Sequence, residues 1–206
     1  MSMTKLGVVT VGAILVAVSA ARGDALAIGA TLPAADQKMA NVDGKMVALA
    51  DVKGKVGTLV VFTCNHCPFV KAWQDRMVQI ANDGVKAGVG VAFVNANDPA
   101  VFTEDSLDQM KTLAKDKGYA FSYLVDDTSA VARAFGATRT PEAFLFDAAG
   151  KLVYHGTIDD STYEAAKVKK HYLKDAVDAL VAGKNVAAPE TKSVGCSIKF
   201  RTVAAK

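Results

Sequence analysis

Two periods of apolar patterning alternate along the chain, and each change of period marks an element. Leu59-Val60-Val61-Phe62 is a continuous apolar run after a Gly54-Lys55 turn, as in a strand buried on both faces. From Pro68 the period lengthens, and Phe69, Trp73, Met77 and Ile80 form one stripe of a helix. Pro68 suits the first helical turn, where its missing N–H costs nothing, and Gly84 and Gly88 end the helical region. Val89 to Asn95 predicts a second buried strand. Thr103 is placed to cap the next helix, with Glu104 and Asp105 in its first turn and Lys115, Lys117 and Gly118 closing it. Phe121 to Val125 predicts a third strand, and Asp127 caps a short helix that carries Val131 and Phe135 and stops at Gly136.

After Thr140-Pro141 the pattern shifts. Ala143 to Phe146 and Leu152 to His155 read as two strands joined through Asp147-Ala148-Ala149-Gly150-Lys151, a hairpin loop. Ser161 to Ala182 reads as a long last helix with Tyr172, Ala176 and Leu180 on one line. Upstream, Ile28 to Leu49 is a weakly patterned lead-in that turns at Asp43-Gly44-Lys45. Strands alternating with helices and ending in a hairpin predict an α/β fold. Its central mixed sheet is flanked by helices, within one domain spanning 28–206.

Composition narrows the class. A chain of 206 residues suits one domain with a real core. The formal net charge is +3, with no run of five or more like charges, so there is no footprint for nucleic acid. Residues 1–27 stand apart: Lys5 precedes an apolar or small run from Leu6 to Ala21, shorter than the roughly 20 residues of a membrane span. Cleavage-like patterns follow at Val18-Ser19-Ala20 and Ala25-Leu26-Ala27. A secretory signal peptide cut near residue 20 or 27 is expected, giving a periplasmic or secreted domain. An uncleaved N-terminal anchor is the alternative, and membrane contact is expected in no other form.

Export changes how the three cysteines are read. Cys64, Cys67 and Cys196 are too few for a disulfide-stapled scaffold. Cys64-Asn65-His66-Cys67 lies where a buried strand gives way to a helix, and the exposed N–H groups there lower a thiol pKa. Cys64, nearer the strand and more exposed, is the expected attacking thiolate, and Cys67 resolves the mixed disulfide. A protonated His66 between them favours thiolate, which stabilises the reduced form and makes the couple more oxidising. A structural zinc site lacks a second cysteine pair, since only Cys196 and three scattered histidines remain. Cys196 has three open readings: pairing with an active-site cysteine, linking two chains, or remaining a free buried thiol. Asn95-Ala96-Asn97-Asp98 and Ile158-Asp159-Asp160-Ser161 read either as solvated turn and N-cap residues or as a polar or metal-lined rim around the disulfide. No single Asp or Glu stands out as a buried acid–base partner for Cys67.

The lead-in from Leu49 to Val56, followed by Val61-Phe62-Thr63-Cys64-Asn65-His66-Cys67-Pro68, resembles the redoxin branch of the thioredoxin-like superfamily. That branch holds thiol–disulfide oxidoreductases of the cytochrome c maturation type and the alkyl hydroperoxide reductase/thiol-specific antioxidant proteins. The segment from Gly136 to Asp147 resembles the one that carries the superfamily's cis-proline. The resemblance implies a thioredoxin-like fold with an N-terminal extension and an inserted helix. It also implies a cis Thr140–Pro141 bond in a loop that faces the disulfide and offers backbone hydrogen bonds to a substrate peptide. One departure bears on activity. The peroxiredoxin pattern Pro-x-x-x-Thr-x-x-Cys is absent, because Val61 stands three before Cys64 and Cys64 itself stands three before Cys67.

The expected function is thiol–disulfide exchange with protein substrates and a redox partner, through Cys64, Cys67 and His66. Thr140 and Pro141 form the substrate loop, and Cys196 is a possible additional redox site. No cofactor or metal is needed, because the electrons travel through the cysteine pair. The rival readings are a thiol peroxidase using Cys64, resolved by Cys67 or Cys196, and a metal-binding carrier using Cys64, Cys67 and His66.

Overall fold

The computed structural model describes residues 26–202. The expected signal segment, up to residue 25, lies outside the described residues. Seven strands form one mixed sheet, in the order β2-β1-β5-β4-β3-β7-β8. They are β1 (Met39–Asn41), β2 (Met46–Val47), β3 (Gly57–Phe62), β4 (Val89–Asn95), β5 (Ser122–Val125), β7 (Glu142–Asp147) and β8 (Leu152–Gly156). Strands β3, β4 and β5 run parallel, and β7 and β8 add an antiparallel hairpin beside β3. A separate two-stranded ribbon pairs β6 (Arg139–Thr140) with β9 (Cys196–Ser197).

The continuous apolar runs are explained by burial on both faces. Alternate residues of β3 point to opposite cores, Leu59 and Val61 to one, Val60 and Phe62 to the other. The first core packs under α1 (Pro68–Lys86), α2 (Leu107–Asp116) and α4 (Tyr172–Val181), and includes Trp73, Met77, Met110, Leu173 and Val177. The second lies under α3 (Ala130–Phe135) and the lead-in, where Phe135 meets Phe62 and Phe144 edge-on at 5.1 and 5.2 Å between ring centres. Sandwiching β3 in this way fixes its C-terminal end, and the first cysteine follows two residues later.

Several boundaries differ from the sequence reading, each for a local reason. The last helix begins at Tyr172 rather than Ser161. Asp160 Oδ1 accepts the N–H groups of Lys169 (2.9 Å) and Lys170 (3.1 Å), holding that stretch as a loop with one short turn at Ala165–Lys167. Helix α3 is served by Asp126, not Asp127: Asp126 Oδ2 accepts the Ala132 N–H at 2.8 Å. The third strand begins at Ser122, one residue late, and α1 runs through Gly84. Thr103 does not cap α2. Thr103–Asp105 forms its own single turn, Ser106 flanks α2, and Asp105 is turned inward.

Truncating Phe135 to Ala removes the ring joining Phe62 to Phe144. The unfolding free energy is expected to fall by about 3–5 kcal/mol, measured by urea denaturation.

Candidate functional site

Strand β3 ends at Phe62, and the chain leaves the sheet through Thr63, Cys64, Asn65 and His66 before entering α1. Cys67 is the N-cap of α1 with extended backbone, and Pro68 takes the first helical position, as its ring geometry favours. Across from them the Thr140–Pro141 peptide is cis, as the resemblance implied. Thr140 touches both sulfurs: Cys64 Sγ lies 3.4 Å from its Oγ1, and Cys67 Sγ 3.3 Å from its carbonyl oxygen. The third cysteine joins them. Strand β9 sets Cys196 opposite Thr140 in register and brings its Sγ to 2.8 Å from that of Cys67.

The pair departs from the sequence reading in its exposure. Cys64 is not the more exposed cysteine, since both Cys64 and Cys67 are 0% exposed. Cys67 is pulled down to about 4, first by the S–H of Cys64 and then by that of Cys196. The Val70 N–H in the first turn of α1 adds to this, although it does not complete a side-chain cap. One contact opposes the thiolate, the Thr140 carbonyl beside the same sulfur. Cys64 is pushed well above the ordinary thiol range by donating to Cys67, by burial and by the negative charge of Asp105. Burial and its bond to Cys67 push Cys196 up to about 11.

Asp105 is the acid that the sequence did not single out. Fully buried, it accepts the Asn65 N–H at 2.7 Å through Oδ1. Its Oδ2 accepts Asn97 Nδ2–H at 2.9 Å and meets His66 Nδ1 at 2.6 Å. His66 is therefore bound to a carboxylate rather than to a sulfur, and its ring stacks on Phe102 at 3.8 Å. The imidazole is not among the groups that lower Cys67. Asn95 and Asn97 are also fully buried, so this segment is a polar rim of the site and not a solvated turn. Their period-two spacing at the end of a buried strand was the available signal. Asp159 belongs elsewhere: it accepts Trp73 Nε1–H at 2.8 Å and pairs with Arg76.

Glu142, directly after Pro141, anchors the opposite side. Its Oε2 accepts the N–H groups of Thr138 (2.8 Å) and Arg139 (2.9 Å), and its Oε1 meets His155 Nε2 (2.8 Å) and Ser193 Oγ (2.9 Å). Burial pushes this carboxyl up, but these partners together hold it below the usual glutamate range. Glu142, His155 and Ser193 carry no motif in the sequence.

Among the described residues, a cation has one set of donors. Cys64 Sγ, a His66 nitrogen and an Asp105 oxygen lie within 4.8 Å of one another. The fit is poor, because His66 Nδ1 and both Asp105 oxygens are already engaged in hydrogen bonds. Cys67 pairs with Cys196 outside that set.

A mixed sheet with flanking helices, a cysteine pair at a strand–helix junction and an opposing cis-proline define a thioredoxin-like fold of the redoxin branch. The chain belongs to the AhpC/TSA family, whose model matches residues 28–155. An uncharacterized conserved protein from Geobacillus kaustophilus is similar at 40% identity, over 86% of this chain and 94% of that one, with a TM-score of 0.80. A hypothetical protein from Sinorhizobium meliloti 1021 is similar at 35% identity, over 87% and 98%, with a TM-score of 0.79. A secreted disulfide oxidoreductase from Mycobacterium tuberculosis shares the fold at 15% identity, over 71% and 95%, with a TM-score of 0.53. Comparison with curated proteins finds no match. The family places the chain among thiol oxidoreductases and peroxidases.

Three measurements test the electrostatics. Thiolate ultraviolet absorbance of the reduced protein is expected to persist below neutral pH, to fade toward about 4, and to vanish from that range in Cys67→Ser. Folded Cys67 holds its proton less tightly than an unfolded thiol at ~8.5. Its contribution to stability is therefore full above that value and lost as pH falls through about 4, read as wild type minus Cys67→Ser in urea midpoints. In a Cys67→Ser background, Asp105→Asn is expected to lower the Cys64 pKa, because the nearby negative charge is gone.

Proposed function

We propose that this protein is an exported thiol–disulfide oxidoreductase that exchanges disulfides with protein substrates through Cys64 and Cys67. The observation that carries the reading is geometric: two cysteines at the start of α1 face a cis Thr140–Pro141 peptide, and Thr140 touches both sulfurs. The hydrogen bonds that Cys67 receives favour its thiolate. Cys67 thiolate attacks a substrate disulfide, a mixed disulfide forms at Cys67, and one substrate sulfur leaves as thiolate. Cys64 then attacks Cys67 Sγ, releases the second substrate sulfur and closes the Cys64–Cys67 disulfide. Substrate disulfide gains the two electrons that the protein dithiol loses, and the sequence run backwards oxidises a substrate dithiol. Thr140 and Pro141 line the approach, and His66 with Asp105 holds the loop between the cysteines. The apolar run from Leu6 to Ala21 supports an envelope or extracellular setting, with a protein redox partner to reset the couple.

Peroxide is the second reading, and burial favours it. Both sulfurs are fully covered, and a small oxidant reaches a covered thiolate more easily than a protein does. A threonine hydroxyl also stands beside Cys64, supplied by Thr140 rather than by the segment before the cysteine.

The test is insulin disulfide reduction run beside hydrogen peroxide consumption, with wild type, Cys64→Ser, Cys67→Ser and Cys196→Ser. Insulin turnover is expected to fall by ~100-fold or more in Cys67→Ser, which removes the nucleophile. With Cys196 also replaced by Ser, Cys64→Ser is expected to trap a lasting mixed disulfide at Cys67. Fast peroxide turnover without insulin reduction overturns the proposal in favour of the peroxidase.

A further inference from the structure

The tail after α4 is built into the site rather than draped over it. Strand β9 pairs with β6, the two residues before Pro141. On either side of Cys196 the tail is tied to the residues that shape the cysteine pocket. Ser193 Oγ–H donates to Glu142, the Ile198 N–H donates to Thr138 O at 3.0 Å, and the Lys199 N–H donates to Asn97 Oδ1 at 2.7 Å. Ile198 is buried in the second core, and the Arg133 guanidinium lies 4.4 Å above the Phe200 ring centre. Gly195 permits the closest approach, since a Cβ there would lie 2.2 Å from the Thr140 carbonyl oxygen. The tail thus brings a third thiol against the sulfur at the start of α1: Cys196 Sγ is 2.8 Å from Cys67 Sγ, where a disulfide needs ~2.05 Å. This segment lies beyond the residues that the family model matches.

We propose that Cys196 is a third redox thiol that resolves Cys67 within the same chain, so that Cys67 is a shared middle sulfur bonding either Cys64 or Cys196. The proposal rests on the exchange chemistry assigned above and adds a second route out of the mixed disulfide. Cys196 loses its proton and attacks Cys67 Sγ, the Cys67–substrate S–S bond breaks, and the substrate sulfur leaves with that proton. The product is a Cys67–Cys196 disulfide. From a Cys64–Cys67 disulfide the same attack expels Cys64, which takes up the proton. That second step moves the disulfide toward the tail with no net oxidation and no added reactant. Of the three readings of Cys196, the geometry favours pairing in cis over a link between chains, because the register of β9 already aims the thiol inward.

The experiment treats fully reduced protein with oxidised glutathione, quenches in acid and maps disulfides by mass spectrometry without reduction. In Cys64→Ser, a Cys67–Cys196 bond within monomeric chains is expected, with both glutathione halves released as thiol. In Cys196→Ser, the Cys64–Cys67 bond is expected. The double variant Cys64→Ser/Cys196→Ser should stop at a glutathione adduct on Cys67. Gly195→Val pushes β9 away from Thr140, and is expected to slow Cys67–Cys196 closure by about tenfold or more, well beyond any slowing of Cys64–Cys67 closure. The proposal is overturned if Cys64→Ser accumulates the glutathione adduct with Cys196 still alkylatable, or if Cys196 bonds only between chains. Failure of the exchange reading looks different: insulin is left unreduced while the Cys67–Cys196 bond still forms with glutathione.

Discussion

The arrangement of the site depends on one buried charge, the Asp105 carboxylate. An isolated carboxylate in such a place would be costly, and it is tolerated here because backbone, amide and imidazole groups surround it. Those partners come from two pieces of chain, the loop after β3 and the segment after β4, and the charge itself comes from a third, the turn before α2. Satisfying the charge therefore draws the pieces together, and the cysteine loop can take only the path that delivers the Asn65 N–H and the His66 ring. The same charge lies on the Cys64 side, while the start of α1 and the Cys196 thiol lie on the Cys67 side. Two cysteines three residues apart acquire opposite protonation preferences because their neighbours differ.

Glu142 repeats the device across the cleft. It gathers the Thr138 and Arg139 amides, His155 from β8 and Ser193 from the tail. The loop carrying Thr140 is thereby tied to the hairpin behind it and to the strand in front. The sulfurs sit between two satisfied carboxylates, each fastening one wall. Such networks fix geometry well because leaving any member unpaired is expensive.

The sequence made the scaffold legible wherever burial set the pattern. Leu59 to Phe62, Val89 to Asn95 and the Trp73–Met77 stripe show their elements because apolar side chains must face the cores. The cysteine motif and Pro141 were equally plain. What stayed hidden depended on contacts between distant segments. Asp105 followed Thr103 and Glu104 and looked like an ordinary first-turn acid, because local spacing carries no trace of a partner forty residues away. Asp160 halted the last helix by capturing amides nine and ten residues on, which no window of helical period reveals. The equal burial of Cys64 and Cys67 was hidden too, because position along the chain says nothing of the neighbouring acid or of the third thiol.

Strand β9 also has a thermodynamic meaning for anything that binds at β6. A peptide that docks by adding a strand needs the open backbone edge of its host, and here that edge is held by a segment of the same chain. Covalent attachment gives the tail a local concentration on the order of millimolar, as for a short flexible tether. An outside peptide must match that concentration or wait for the tail to lift, whereas a small oxidant faces no such competitor. Any peptide that adds to β6 therefore competes with the protein's own tail for a two-residue ribbon.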